Sequence, residues 1–297
     1  MNKIKILLAA QGTFLLLLSV SCSMFTQYGM LERDARNSYR RGDYDKAVLA
    51  CAQALKINPE YKKALALIQD THKAALSSHD NKISFLKQSD DKFKWDQLVS
   101  EYESLNRLRE ALLYLPVLIS PATGNQITLP VSDYTDDLKD AKEKAAEEHY
   151  QEGLSFLKLE GIDNGKKAAL EFKLAQNFVA NYKDSFALYK EARASAVLRL
   201  AIIPFENKSG KTEKYESIAE TIIDETIERI MRDRDATEFL EIMTRDELDH
   251  VLKELKLGTS GLVDQETAVE LGNIVGAHKT LTGKITQIIY TPIRTVK

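Results

Sequence analysis

The chain has few cysteines and no surplus of charge. Its 297 residues contain two cysteines, which excludes the disulfide framework that stabilises many small secreted domains. The net charge of −3 leaves no excess of cations to neutralise phosphates, so nucleic acid is not expected as a partner. The five histidines show no metal-ligand spacing, and we expect each of them at the surface or at a helix cap rather than in a metal site. They are His72, His79, His149, His250 and His278.

Motifs of enzyme chemistry are also missing. The sequence has no GxSxG nucleophile motif, no HExxH zinc motif and no cysteine with a plausible histidine partner. Residues 208–212 match the end of a phosphate-binding loop, but Phe205 stands where that loop needs a glycine to wrap its backbone around phosphates. No later predicted strand ends in an acidic residue that would order a magnesium ion. We therefore expect neither an enzyme nor a cofactor, and a nucleotide-binding enzyme is the least favoured alternative.

Size and composition are those of a globular protein of about two domains. Apolar residues make up 44% of the chain and charged residues 29%, which suits a protein with a sizeable core. Cys51 lies inside a helical pattern, so we expect it to be a small buried residue of that core.

The N-terminus has the layout of a secretory signal peptide, which we assign to residues 1–21. Lys3 and Lys5 precede an apolar stretch at residues 6–20. Polar residues at 11–13 leave this stretch short of the ~20 apolar residues that a membrane-spanning helix needs. An uncleaved membrane helix is therefore disfavoured.

Small residues lead from the apolar stretch directly to Cys22. This junction resembles the lipobox of bacterial lipoproteins, although Ser19 stands where that pattern prefers leucine. The resemblance implies that Cys22 is diacylated and becomes the new N-terminus, so that lipid chains hold the mature chain to a membrane. Ser23 rather than aspartate follows the cysteine, which by resemblance to the sorting rule of enteric bacteria favours the outer membrane. An ordinary cleaved signal peptide is the alternative.

Residues 22–195 are predicted to form helical hairpins that resemble tetratricopeptide repeats. Residues 31–66 fit one such repeat, and a weaker copy covers residues 141–182. Between them, residues 93–115 carry apolar side chains at helical spacing. Stacked hairpins commonly hold a peptide on their concave side, but these helices could also pack only on each other and on the next domain. Both interpretations stay open.

Residues 116–134 break the helical pattern. Two short apolar runs, 117–120 and 126–129, flank residues 121–125 of turn-forming composition. This arrangement predicts a small β-hairpin or an ordered loop. Each run is well under the ~10 residues that a membrane-spanning strand requires, so we do not expect the chain by itself to form a pore.

Residues 196–297 alternate between strand and helix patterns. The predicted strands are residues 198–205, 237–243 and 279–289, and the predicted helices are residues 215–233 and two that begin near Thr244 and Asp264. This order is typical of an α/β domain. The predicted fold class is therefore mixed, with all-α tetratricopeptide-like hairpins in residues 22–195 and an α/β domain in residues 196–297.

The sequence of this last domain resembles the CsgG family of curli production assembly and transport components. The resemblance is carried by residues 200–207, 245–248, 251–254, 260–264, 267–268, 271–272, 276–277 and 283–285. It implies a periplasmic α/β domain in a lipoprotein of the curli secretion apparatus at the outer membrane. Family members that form the secretion channel continue into membrane-spanning β-hairpins, whereas this sequence ends at Lys297.

These features together predict a lipid-anchored protein that faces the periplasm from the outer membrane, with cell-surface exposure as an alternative. We expect it to bind proteins, as a scaffold or accessory subunit in outer-membrane assembly or curli-like secretion. The expected partners are proteins of that machinery and the membrane, through the lipid at Cys22, with a homo-oligomer also considered. The alternative function is a subunit of a CsgG-type secretion channel, whose membrane-spanning strands would come from rearrangement or from another chain.

Overall fold

The computed structural model describes residues 26–203, 205–210, 218–243 and 276–289. Within these ranges the chain is mostly helical, and its short strands lie in the last third. The chain divides into two compact units, Met1–Glu148 and His149–Lys297, and the boundary falls inside a helix. Each unit has a hydrophobic core of its own.

The described part of the first unit, from residue 26 onward, contains four complete helices. They are α1 (Gln27–Arg40), α2 (Tyr44–Ile57), α3 (Lys62–Gln88) and α4 (Lys94–Leu113). Helix α1 begins where the Thr26 side chain accepts a hydrogen bond from the Gly29 amide (3.2 Å), which satisfies a free donor of the first turn. Gly42 has a φ of +82°, so it supplies the left-handed residue that the turn before α2 requires. Helix α2 ends just before Pro59, which lacks the amide hydrogen needed to continue it.

Small residues let the helices of the first unit pack closely. Helix α2 contributes four alanines and a cysteine to the core, namely Ala47, Ala50, Cys51, Ala52 and Ala54. Leu55 and Ile68 fill the remaining space and are fully buried. Burial of each of these two side chains stabilises the fold by about 1.5–3 kcal/mol relative to an exposed position.

A short segment without helix follows α4 and covers the same core. Leu118 and Ile127 are buried in that core. The Ile127 amide donates a hydrogen bond to the Leu118 carbonyl (2.8 Å), and an antiparallel bridge pairs Ile119 with Gln126. Gly124, with a φ of +72°, lies in the turn between the two arms. The segment is thus a small ordered hairpin.

Three further helices lead into the second unit. They are α5 (Thr135–Leu157), which crosses the unit boundary, α6 (Ile162–Phe178) and α7 (Ser185–Ala196). A Cβ atom added at Gly153 of α5 would lie 2.7 Å from the Phe172 ring of α6. One added at Gly165 of α6 would lie 3.1 Å from the Ala192 carbonyl oxygen of α7. Both glycines therefore allow a closer approach of helices than any larger residue would permit.

The strands of the second unit pair in parallel. The remaining elements are β1 (Leu198–Ile202), β2 (Glu206–Asn207), α8 (Ile218–Arg232), α9 (Arg234–Glu238), β3 (Leu240–Ile242), β4 (Lys279–Leu281) and β5 (Lys284–Ile285). β1 lies between β3 and β4, and β2 pairs with β5. Leu200 is aligned with Ile242 on one side and with Lys279 on the other. Parallel neighbours need a crossover connection, and α8 lies on the connection from β1 to β3.

The three predicted strands are all longer than the observed ones. The strand predicted at residues 198–205 is observed as β1, which ends at Ile202. The strand predicted at residues 237–243 is reduced to Leu240–Ile242, because Asp233 accepts a hydrogen bond from the Ala236 amide (3.1 Å) and so caps the short helix α9. The strand predicted at residues 279–289 is divided into β4 and β5, with Gly283 between them.

The predicted helices agree with the observed ones more closely than the predicted strands do, in the ranges that the structure describes. α4 and α8 confirm the helices predicted at residues 93–115 and 215–233. The helices predicted to begin near Thr244 and Asp264 lie outside the described residues. None of the helices in the described ranges is both long and apolar enough to cross a lipid bilayer.

Candidate functional site

The predicted lipidation site lies outside the described residues. Cys22 and the signal peptide at residues 1–21 precede residue 26, where the description begins. Lipidation of Cys22 therefore stays a prediction. The other cysteine, Cys51, is free and buried, which confirms its interpretation as a small core residue. Burial raises the pKa of its thiol to about 12, so the thiol is protonated at neutral pH and a poor nucleophile.

Three of the five histidines are buried, so the expectation that all of them lie at the surface or at helix caps is wrong. His72 and His79 on α3 and His149 on α5 are each 4% exposed or less. A histidine taken singly gives no sign of burial in the sequence, because the partners of a buried histidine lie on other helices. His278 lies at the sheet, where its Nδ1 accepts a hydrogen bond from a β1 amide (3.0 Å). His250 lies outside the described residues.

His79 joins three helices through its two ring nitrogens. Nδ1 lies 2.5 Å from Oε2 of Glu101 on α4, and Nε2 lies 2.8 Å from Oδ1 of Asp45 on α2. The second oxygen of Glu101 accepts a hydrogen bond from Lys82 Nζ (3.2 Å). A carboxylate at each ring nitrogen favours the protonated ring, in which both nitrogens donate.

The charge on His79 results from a competition between burial and its neighbours. Burial lowers the pKa of the ring, but the hydrogen bonds and charges of Asp45 and Glu101 outweigh burial, and the pKa is raised above its usual value. The ring is therefore held as part of an ion cluster that links α2, α3 and α4. In the part of the chain that the structure describes, no three or more His, Cys, Asp or Glu side chains are arranged to hold a metal ion.

A second buried histidine makes a matching contact in the second unit. Nδ1 of His149 on α5 lies 2.6 Å from Oε2 of Glu171 on α6, and the two residues are 22 positions apart, as His79 and Glu101 are. The His149 ring also stacks on Phe178, with ring centroids 5.5 Å apart. Sequence reasoning missed both pairs. The repeated spacing of histidine and glutamate, within two consecutive pairs of predicted helices, is the signal that could have found them.

A groove of about 580 Å³ runs between α3 and residues 128–130 of the ordered hairpin. We call it the α3 groove. It is lined by Gln69, His72, Lys73, Leu76, Ser77, Asp80, Asn81, Thr128, Leu129 and Pro130. His72 is 4% exposed and makes no hydrogen bond with any residue that the structure describes. Burial lowers the pKa of His72, so its ring is neutral and offers one donor and one acceptor.

The stretch that partly matches a phosphate-binding loop contains a packed aromatic side chain. Phe205 lies between β1 and β2, and a Cβ atom added at Gly283 would lie 3.0 Å from its ring. In the loop that follows, the amide and the hydroxyl of Ser209 both donate to Oδ1 of Asn207 (3.1 and 2.7 Å). Residues 211–212 lie outside the described ranges. Phe205 therefore packs against Gly283 at the position where a phosphate-binding loop would need a glycine.

Glu238 fastens the strand region to α6 and α7. Its carboxylate accepts hydrogen bonds from Lys173 Nζ (2.8 Å to each oxygen) and from the Tyr189 hydroxyl (3.1 Å). Its carbonyl oxygen accepts a hydrogen bond from Arg193 Nε (2.8 Å). The hydrogen bond from Lys173 contributes most to holding the pKa of Glu238 below its usual value. Helix α7 is thus bound to the segment that leads into β3.

Comparison with known protein families finds one match, and it falls on this region. Residues 181–289 match the family model described as curli production assembly/transport component CsgG. The match covers about a third of the chain, from the loop before α7 to the residues after β5, and includes Glu238 with Tyr189 and Arg193. No curated protein and no solved structure matches the chain. The match supports the resemblance drawn from the sequence and begins before the predicted boundary at residue 196.

Proposed function

We propose that the chain is a lipid-anchored cell-envelope protein that binds protein partners of an outer-membrane assembly or secretion apparatus of the curli type. The match of residues 181–289 to the CsgG family model carries this proposal. The lipid on Cys22 would fix the location of the protein, and the helices would recruit a partner. The protein would act as a scaffold or accessory subunit, without a catalytic step.

The Glu238 contacts support a recruiting role. Lys173 of α6 and Arg193 of α7 hold the segment that leads into β3. A partner bound to these helices and a partner bound to the strand region would therefore be held in a fixed arrangement within the second unit. Fixing two partners is what a scaffold contributes to an assembly.

The anchor is tested by fractionating a bacterium with two membranes that expresses the full chain. We expect the protein in the outer-membrane fraction, with a diacylated N-terminal cysteine visible by mass spectrometry. The Cys22→Ser variant is the matched control, since it removes only the acyl acceptor. It should move to the soluble fraction with an unchanged thermal unfolding transition. An unmodified Cys22 in the wild-type protein would contradict the anchor.

Partner binding is tested by cross-linking the wild-type protein in its own membranes and measuring the size of the recovered complex. We expect secretion or assembly proteins in the complex, and their loss in the Cys22→Ser control. Recovery of monomer alone would contradict the scaffold. A ring-sized complex that conducts ions after reconstitution would instead support the alternative, a channel subunit.

The proposal includes no enzymatic activity. The packing of Phe205 against Gly283 supports it, because an aromatic side chain stands where a nucleotide loop needs a glycine. We expect no ATP binding by calorimetry, and no difference between the wild-type protein and the Lys211→Ala variant. ATP binding that Lys211→Ala abolishes would revive the nucleotide-binding alternative.

A further inference from the structure

The α3 groove combines features of a site that binds a polypeptide. One wall is a helix face and the other is formed by residues 128–130, which have neither helix nor strand structure. Apolar contact is available from Leu76 and Leu129, and most of the other lining side chains can donate or accept hydrogen bonds. A mixed lining of this kind matches a peptide, which presents amide groups and apolar side chains together.

His72 offers the α3 groove a polar ring without a protein partner. Its ring nitrogens are not sealed from solvent in the described part of the chain, so they are available to a ligand in the groove. His72 is 4% exposed, lines the α3 groove and has no hydrogen-bond partner among the described residues. A backbone amide in the groove would supply either the donor or the acceptor that the neutral ring lacks.

The charged side chains of the α3 groove indicate which charges a ligand should carry. Lys73 and Asp80 are exposed, lie seven residues apart on α3, and form no ion pair with any described residue. Seven helical residues span about 10 Å, which is about the length of three residues of extended chain. From Gln69 to Asn81 the groove spans about 18 Å, enough for about five extended residues.

We propose that the α3 groove binds an extended segment of about five residues from a partner protein, with apolar residues between an acidic residue that pairs with Lys73 and a basic residue that pairs with Asp80. This inference rests on the proposed protein-binding function and names the kind of partner segment that it would recruit. The backbone of the segment satisfies His72, and its apolar side chains contact Leu76 and Leu129.

The experiment measures binding of the full-length protein to an array of capped peptides. The array carries cores in the order acid, apolar, apolar, base, together with the same cores in the reverse order. We expect the wild-type protein to bind one order, since the positions of Lys73 and Asp80 along α3 are fixed. The double variant Lys73→Glu/Asp80→Lys should bind the opposite order. Both side chains are exposed, so the exchange should leave the fold intact, which a thermal unfolding scan verifies.

A second variant tests the buried ring. His72→Phe keeps a planar ring, somewhat larger than imidazole, but removes its hydrogen-bonding nitrogens, and we expect peptide affinity to fall by about tenfold. Lys46→Gln is the matched control, because Lys46 is a lysine of the first unit that does not line the α3 groove, and it should leave affinity unchanged.

Three results would overturn the proposal. The first is that the protein binds neither peptide order, and the second is that the charge exchange leaves peptide binding unchanged. The third is that the charge exchange alters only self-association, which would assign the α3 groove to a second copy of the chain. Failure here is distinct from failure of the proposed function, because cross-linking to envelope proteins is measured separately. If the protein binds no peptide but is still cross-linked to its partners, the proposed peptide site is wrong and the proposed scaffold function is retained.

Discussion

The helix pairs α3–α4 and α5–α6 share a buried polar contact but differ in the apolar residues that pack around it. Each pair is joined by a hydrogen bond between a buried histidine and a glutamate, His79 with Glu101 and His149 with Glu171, and the second pair lies 70 residues after the first. The same offset relates other buried positions. These are Ala75 and Ala145, Leu98 and Ala168, Val99 and Ala169, Tyr102 and Phe172, and Leu105 and Ala175.

The polar contact is kept while the apolar packing around it changes. The residue four positions after the histidine is Ile83 in α3 and Gly153 in α5, and both are buried. The α6 residues at the shared positions are mostly alanines, and the Phe172 ring fills the space that Gly153 leaves open. The lesson is that the histidine and glutamate fix the alignment of two helices, and that several apolar combinations can then fill the space between them.

The largest effect on either pair should appear when its histidine is removed. His79→Leu leaves Asp45 and Glu101 without their shared cation, and we expect a loss of about 2–3 kcal/mol in the first unit. His149→Leu removes the hydrogen bond to Glu171, and we expect a loss of stability in the second unit. Hydrogen exchange of α3 and α5 peptides, measured by mass spectrometry, reports each unit separately. Unchanged exchange in α3 of His79→Leu would mean that the contacts of His79 with Asp45 and Glu101 contribute nothing to stability.

The next largest effect concerns the close approach in the second pair. Gly153→Ala would ordinarily favour a helix by up to about 1 kcal/mol, but the new methyl group meets the Phe172 ring. We expect a net loss of about 1–3 kcal/mol, as for other overpacked cores, measured by the same hydrogen exchange. Ser155→Ala, at an exposed position of α5, is the control and should be neutral or slightly stabilising. A stabilised Gly153→Ala protein would show that the ring can move away without cost.

A smaller expected effect is a difference between the two units in how their stability depends on pH. The folded-state pKa of His79 is raised, so its contribution is complete below its usual value of 6.5 and is lost as pH rises through the folded-state pKa. The groups that contact His79 are Asp45 and Glu101 and, through Glu101, Lys82. Hydrogen exchange in α3, corrected for its intrinsic pH dependence, should therefore accelerate above neutral pH. His79→Gln should abolish this acceleration.

The second unit should respond in the opposite direction. The folded-state pKa of Glu238 is lowered, so its contribution is present above its usual value of 4.5 and is lost as pH falls through the folded-state pKa. Protection of α9 and β3 against hydrogen exchange should fall in mild acid, and Glu238→Gln should remove that dependence. An identical acid response in the variant would assign it to other carboxylates.

The smallest expected effect is a change in the labelling rate of Cys51, which reports the opening of the first unit. Its buried thiol should react with iodoacetamide only when that unit opens, because its pKa of about 12 leaves little thiolate. In a Cys22→Ser background Cys51 is the sole thiol of the chain. His79→Leu should raise its labelling rate and Gly153→Ala should not, if the units open independently. A rate that both variants raise equally would indicate that the two units open together.

Helices were easier to predict than strands or polar contacts. α4 and α8 follow from apolar residues at steps of three and four, a signal that extends over many residues. β3 has three residues, too few for alternation to define its start, and an Asp233 cap makes the residues before it helical. The α3 groove and the Glu238 contacts depend on residues far apart in the chain, which a single sequence does not place side by side. The repeated spacing of histidine and glutamate was the one such signal available.

The junction of α7 and β1 bears on where a domain that is exchanged between proteins could begin. One residue, Val197, separates the two elements, and α7 supplies two of the groups that hold Glu238. A recombination point at the change from helix to strand would leave the glutamate behind without those partners. A module that begins in the loop before α7 carries the helix and the strand together, and the family match begins in that loop. The matched region therefore begins one helix earlier than the change in secondary structure, and it includes α7 with the strands but not Lys173 of α6.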